Sequence, residues 1–236
     1  MTDSDPTKAQ PARTLDLGTR AFHEVLALQR DLVAARQADT IPDTLVLVEH
    51  PEVITLGRSA KPENVLAPGA IPVVSIERGG DVTYHGPGQL LAYPIFRLRE
   101  GERDLHQYLR GLEEAVLRAL ADFDLAGMRI PGRTGVWIGE PASARKLASI
   151  GVAVRRWVTM HGLALNVNTD LGRFAAIKPC GFAAGVMTSM ARELGRPLDM
   201  AAVKQALAGH LAHVLRRQKV DSRRRMGQDA PRGVRE

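Results

Sequence analysis

The chain has 236 residues, 44% of them hydrophobic, and a formal net charge of +6. That apolar content is enough for a sizeable core and excludes a disordered polymer. A single cysteine excludes an internal disulfide framework and a cysteine-based structural zinc site.

No run approaches the ~20 apolar residues of a membrane span, and the amino-terminal stretch lacks the basic and apolar regions of a signal peptide. The expected setting is therefore the cytoplasm, where a free thiol persists. The positive charge is uneven: residues 216–236 hold eight basic and three acidic side chains, a net +5 of the total. A terminal run of like charge reads as a solvated tail. With few aromatics and no nucleic-acid motif, nucleic acid is not the expected partner.

In chain order, residues 1–13 read as a disordered lead. Phe22, Val25, Leu26, Leu32 and Val33 predict a helix from Thr19 to about Ala38, with a threonine as its cap. Strands are predicted at 44–49 and 53–56, then a Pro-rich loop at 61–72, then a buried β-branched strand at 71–76. Short strands follow at 82–84 and 90–96. Asp104 to Gln107 form a capping box ahead of the apolar stripe Leu105, Tyr108, Leu109, Leu112, Val116 and Leu120, which predicts a helix over 104–122. Gly127 and Pro131-Gly132 break the chain before a strand at 134–138. Segments 145–154 and 157–168 predict a β-meander, with a turn at 170–173. A short helix is expected at 188–194, and a last helix capped by Asp199 carries the stripe Val203, Ala206, Leu207, Leu211 and Val214. Runs of strands separated by few helices indicate one α+β domain over 14–217, with a mixed, mainly antiparallel sheet flanked by helices. Residues 218–236 form the basic tail.

Two stretches invite chemistry. Arg78-Gly-Gly-Asp-Val-Thr-Tyr-His-Gly-Pro-Gly-Gln-Leu90 places five glycines or prolines in thirteen residues. Its backbone is accessible to a ligand, with Arg78, Tyr84 and His85 at hand. It matches neither the phosphate-binding P-loop nor the dinucleotide fingerprint. Lys178-Pro-Cys180-Gly-Phe holds the lone thiol on a bend forced by proline and glycine. A nucleophilic cysteine needs a group that takes its proton or stabilises its anion. His85, His161, Lys146 and Lys178 are the candidates, and pattern and spacing do not choose among them.

The glycine-rich stretch, Lys146-Leu-Ala-Ser-Ile-Gly-Val152, His161-Gly-Leu-Ala-Leu-Asn-Val167 and Pro179-Cys-Gly181 follow one another in the order found in the octanoyltransferases of lipoate biosynthesis. The chain resembles that family from about Leu45 to Leu194. The resemblance implies the fold of biotin and lipoate protein ligases. It implies transfer of an octanoyl or lipoyl group from acyl carrier protein to a lysine of a lipoyl domain, as in 2-oxo acid dehydrogenase complexes and the glycine cleavage H protein. Cys180 would carry the acyl group as a thioester and Lys146 would activate it. Substrate would meet Arg78, Gly79, Gly80, Asp81, Val82, Thr83, Tyr84 and His85, then Ser149, Ile150 and Gly151, and Gly162, Leu163 and Ala164.

Exchange between thioesters is near-isoenergetic, so neither ATP nor another cofactor or metal is expected. The oxyanion wants preorganised donors, with backbone N–H groups near Gly151 or Gly181 as candidates. Leu163, Ile150 and Val82 would line an eight-carbon slot. Arg58, Arg78 and Arg145 would steer acidic carrier domains more than the tail would. The rival readings are an ATP-dependent ligase of the same fold, an acyl hydrolase using His85 or His161 as base, and a non-catalytic carrier-binding protein.

Overall fold

The computed structural model describes residues 10–179 and 184–219. Cys180 and Gly181 lie outside the described residues, as do the rest of the expected lead and tail. The first elements are β1 (Gln10–Thr19), α1 (Phe22–Gln37), β2 (Asp43–Glu49), β3 (Val53–Leu56), β4 (Val73–Ser75), β5 (Val82–His85) and β6 (Gln89–Ile95). They are followed by α2 (Leu105–Ala121), β7 (Gly127–Ile130), β8 (Arg133–Ile138), β9 (Arg145–Arg155) and β10 (Val158–Asn166). The last are α3 (Met190–Leu194), α4 (Met200–Val214) and β11 (Arg217–Lys219), with a 3-10 segment at Leu171–Ala176 before them.

Among the described residues, eight strands form one sheet in the order β11-β1-β2-β6-β10-β9-β8-β7. β1 is parallel to both β2 and β11, and the remaining pairs are antiparallel. The sheet is thus mixed, as expected. A second sheet has the order β4-β3-β5. Helices α2 and α4 cover one face of the large sheet through Leu112, Val116, Leu120, Val203, Leu207 and Leu211, packed on Leu45, Leu47, Leu90, Val136 and Leu165. Helix α1 covers the other face through Phe22, Val25, Leu26, Leu32 and Val33, packed on Val46, Val48, Leu91 and Met160. Covering on both faces explains why β2 and β6 are near-continuous apolar runs without alternation.

Several expectations are corrected. Residues 10–13 belong to β1, and Arg217–Lys219 pairs with it, so backbone pairing, absent from any hydrophobic pattern, extends the sheet into the stretches read as lead and tail. The cap of α1 is Ala21, with no side-chain bond, instead of a threonine. β7, read as a break, is a strand paired to β8. β4 is not buried: Val73 is 43% exposed, because this strand edges the small sheet. Leu105 is exposed at the start of α2. Asp104 and Asp199 do cap α2 and α4, accepting from His106 and Gln107 N–H and from Ala201 N–H.

No helix among the described residues is long and apolar enough to cross a membrane.

Candidate active site

β9 and β10 pair antiparallel, setting Gly162 opposite Gly151, Leu163 opposite Ile150 and Ala164 opposite Ser149. The glycine-rich loop leading into β5 lies over this part of the sheet. Gly79 N–H donates to Val152 O at 2.9 Å, anchoring the loop to β9. Close approach needs a bare Cα at Gly151, where a Cβ would sit 2.9 Å from Arg78 Cδ and 3.0 Å from Gly79 O.

The result is a narrow cavity of about 50 Å³ lined by Arg78, Gly80, Asp81, Val82, Thr83 and His85 from the loop and β5. Lys146, Ser149, Ile150, Gly151, Gly162, Leu163 and Ala164 line it from the sheet. The loop thus meets two stretches of the β9–β10 hairpin that lie about 60 residues or more further along the chain. Phe22, Ile76, Leu91, Tyr93 and His161 complete the wall. A larger hollow of about 400 Å³, around Tyr108 and Arg217, shares no residue with it.

Tyr84 and Gly79, expected at the substrate, do not line the cavity. Alternation along β5 turns Tyr84 the other way, into a cluster with Phe174 and Ile177, and its hydroxyl donates to Glu52 at 3.0 Å. Burial and the Glu52 contact raise its pKa, so it stays a neutral phenol.

Of the four candidate partners for the thiol, Lys178 is exposed. His85 is fully enclosed: its Nδ1 lies 2.7 Å from Gln89 Oε1 and its Nε2 lies 3.2 Å from Thr55 Oγ1. Burial pushes its pKa down to about 3, so the ring is neutral near pH 7. His161 has a left-handed φ of +59° within β10, and its backbone N–H turns away from the sheet to Gln29 Oε1 at 2.9 Å. Burial holds its pKa near 4, opposed by Glu77 at 3.7 Å.

Lys146 is 5% exposed, on the cavity side of β9. Its Nζ lies 5.3 Å from the centroid of the Trp137 ring on β8. Its backbone O accepts from Thr188 N–H at 3.0 Å, and Met187 bridges to it. The chain on the far side of Cys180 is therefore tied to the strand of Lys146. On the near side, Lys178 N–H donates to Asn64 O at 2.8 Å.

Arg78 is buried and points inward, donating to Thr55 O and Oγ1 at 2.9 and 3.0 Å. Arg145 makes a two-pronged pair with Glu193 at 3.0 and 2.8 Å. The expectation that both steer a carrier domain is revised: Arg78 holds the loop and Arg145 is neutralised by a neighbour, whereas Arg58 is exposed.

Gln89 and Asn166 are functional candidates that the sequence reading missed. Buried amides in otherwise apolar strands are the signal that marks them. Gln89 Nε2 donates to Asn166 Oδ1 at 2.8 Å, and Asn166 Nδ2 donates to Thr188 O at 2.9 Å. This chain of bonds runs from His85 to the residue that holds Lys146.

The lipoyl protein ligase A/B catalytic domain model matches residues 21–212. An octanoyltransferase of Geobacter metallireducens is 52% identical over 200 residues, covering 85% of this chain and 92% of that protein. One from Syntrophotalea carbinolica is 50% identical over 201 residues, covering 85% and 93%. Among solved structures, lipoate-protein ligase A bound with ATP has a TM-score of 0.65 at 16% identity, covering 90% of each chain. A bi-partite lipoate protein ligase from Thermoplasma acidophilum has a TM-score of 0.64 at 17% identity, covering 91% of this chain and 88% of that one. Biotin protein ligase from Aquifex aeolicus reaches 0.51 at 14% identity, covering 86% and 68%. At those identities the likeness speaks for the fold alone.

Proposed function

The chain belongs to the lipoyl protein ligase A/B catalytic-domain family and is an acyltransferase that moves octanoyl groups in lipoate biosynthesis, and from that premise we propose that it works through an acyl-thioester on Cys180 with Lys146 as its proton partner. Lipoyl-domain proteins and an acyl donor are its substrates. The donor proposed is octanoyl-acyl carrier protein, and the acceptors are the lipoyl domains of 2-oxo acid dehydrogenase complexes and the H protein.

The observation that carries the reading is the convergence of Lys146, Ser149–Gly151, Gly162–Ala164 and the Arg78–His85 loop on one cavity. In the first half-reaction the Cys180 proton passes to Lys146 Nζ, and the thiolate attacks the donor thioester carbonyl. The carrier leaves as its thiol, taking the proton back. In the second half-reaction the acceptor lysine amine attacks the enzyme thioester, and the Cys180 sulfur leaves as thiolate. Neutral Lys146 takes up the proton lost by the attacking amine. His85 serves poorly as a base, since burial leaves it a weak one. Its bonds to Thr55 and Gln89 suit it to holding the loop. Phe22, Leu91 and Ala164, packed together on the α1 side, supply apolar wall for the acyl chain, with Leu163 and Ile150 bordering it from the α2–α4 core and Val82 from the Tyr84 cluster, each buried CH₂ contributing ~0.8 kcal/mol.

The test is intact-protein mass spectrometry after incubation with octanoyl-acyl carrier protein. The expected result is a gain of one octanoyl group, absent in Cys180→Ser and discharged onto a lipoyl domain without ATP. Activity that persists in Cys180→Ser and requires ATP overturns it in favour of a ligase; discharge to water without an acceptor makes it a hydrolase.

A further inference from the structure

The β8–β9 pairing is irregular where it matters. Val136 pairs with Ala148, but the next residue, Trp137, pairs with Lys146, so Leu147 is an extra residue in β9. Such a bulge re-aims the side chains that follow it. Val136 and Ile138 pack under α2 and α4. Trp137 between them therefore faces the other way, and as the cross-strand partner of Lys146 it shares that residue's face.

The indole is fully buried and its orientation is set by Nε1–H donating to Arg133 O at 3.2 Å. The Lys146 shaft crosses Gly135, whose φ is +122° and where a Cβ would sit 2.8 Å from Lys146 Cε. Gly135 N–H is fixed in turn by Glu113 Oε1 at 2.9 Å. The lysine is thus threaded between a bare glycine and an aromatic face.

Resting on the Cys180–Lys146 reading above, we propose that Trp137 is a positioning residue whose indole face holds Lys146 Nζ as an ammonium beside the acyl cavity, so that the Cys180 thiolate has its counter-cation in place before the acyl donor arrives. A cation over a desolvated indole face is attracted by the ring quadrupole. The contact favours the state in which the proton has left Sγ of Cys180 and resides on Nζ of Lys146.

Among the described residues, charged groups on the neighbouring elements have partners of their own. His85 and His161 are neutral near pH 7. Asp81 accepts from Val82 and Lys61 N–H at the loop. Glu113 on α2 is paired with Arg110 and Arg129, and Glu193 on α3 with Arg145. Arg78 donates into β3. Arg133 also lies against the indole, 5.7 Å from the ring centroid.

Cys180 is the only cysteine in the chain, so its alkylation by iodoacetamide reads one thiol. The rate is followed against pH in the full-length wild type, Trp137→Phe, Trp137→Leu and Lys146→Met. Trp137→Leu is expected to move the midpoint up by about one pH unit, a roughly tenfold loss of thiolate at a given pH below it. Trp137→Phe, which also lacks the indole N–H but keeps an aromatic face, is expected to fall between. If Trp137→Leu does not fold, as read by its thermal melt, the Phe variant alone decides by shifting or not. Midpoints equal to wild type in the folded Trp137 variants overturn the proposal. An unshifted Lys146→Met overturns the activation reading itself, whereas a shifted Lys146→Met beside unshifted Trp137 variants overturns this inference alone.

Discussion

Gln89 and Asn166 face each other across β6 and β10 as a register pair, and the Gln89 amide donates to the Asn166 carbonyl at 2.8 Å. Both are buried. Asn166 then donates to Thr188 O, and Thr188 N–H donates to Lys146 O. Replacing Asn166 with leucine removes the donor to the Thr188 carbonyl and the nearer acceptor of Gln89 Nε2, which keeps only Tyr84 O at 3.3 Å. The cost expected is about 1–3 kcal/mol of stability for each unsatisfied group, with a fall in octanoyl transfer that exceeds the fall in folded protein. Thermal melts and transfer rates on the same preparation check this. Loss of activity only in proportion to unfolded protein would remove Asn166 from the site.

Acid should weaken the fold through its buried histidines. His85, His161 and His50 all have pKa values lowered from 6.5 by burial, to about 3 and about 4 for the first two. In the unfolded chain they take up protons near pH 6.5, and in the fold they do not. Stability is therefore full above that pH and falls below it, by up to about 1.4 kcal/mol per pH unit for each histidine. The carboxylates of Glu77, Glu102 and Glu193, held below 4.5, add their loss only at lower pH. Urea denaturation at pH 7, 6 and 5 measures the slope, and His85→Gln should reduce it by one proton's worth. A stability flat across that window contradicts the buried neutral state.

Gly135→Ala should displace the lysine. A methyl group there meets Lys146 Cε at 2.8 Å and the Ala148 carbonyl more closely still, at a backbone φ of +122° that alanine resists. The backbone strain is expected to cost about 1–3 kcal/mol of stability, and transfer is expected to fall at least about tenfold because Nζ is moved from its place. Full activity would mean that Lys146 need not take the path between Gly135 and Trp137.

Chain-length preference should follow the cavity wall. Ala164 is buried in it, paired with Ser149. Ala164→Phe fills space beside the acyl slot and is expected to favour shorter acyl donors. Each methylene that no longer fits costs about 0.8 kcal/mol, or about fourfold in kcat/KM. Competition between octanoyl and hexanoyl donors gives the ratio, and an unchanged ratio would place the chain elsewhere.

Salt dependence should separate the arginines. Arg58 is exposed, whereas Arg145 is committed to Glu193 at 2.8 Å. Arg58→Ala is expected to raise KM for the proposed carrier and lipoyl-domain substrates at low ionic strength and to lose that effect as salt is added. Arg145→Ala is expected to leave the salt dependence alone and to cost less than about 1 kcal/mol, because the pair is partly exposed. An Arg145 variant with the stronger salt effect would reverse the assignment.

Much of the molecule was legible in one dimension. Helical spacing located α1, α2 and α4, and β-branched runs located most of the strands, because apolar periodicity reports directly on burial. Four stretches in order pointed to the family. β1 and β11 were missed because they are held by parallel pairing to distant strands, and that pairing leaves no local pattern in the residues.

The sequence by itself determined the reaction class, through its likeness to a family, and the lone thiol, and it named most of the residues that line the cavity. Only the tertiary structure decided that Lys146, His85 and His161 are buried in the cavity wall while Lys178 is exposed, that Arg78 and Arg145 are occupied internally, and that Trp137 lies over Lys146. That last placement hangs on one extra residue, Leu147, between two strands. A side chain in a sheet changes face with every residue of register, and register is set by the pairing of separate segments.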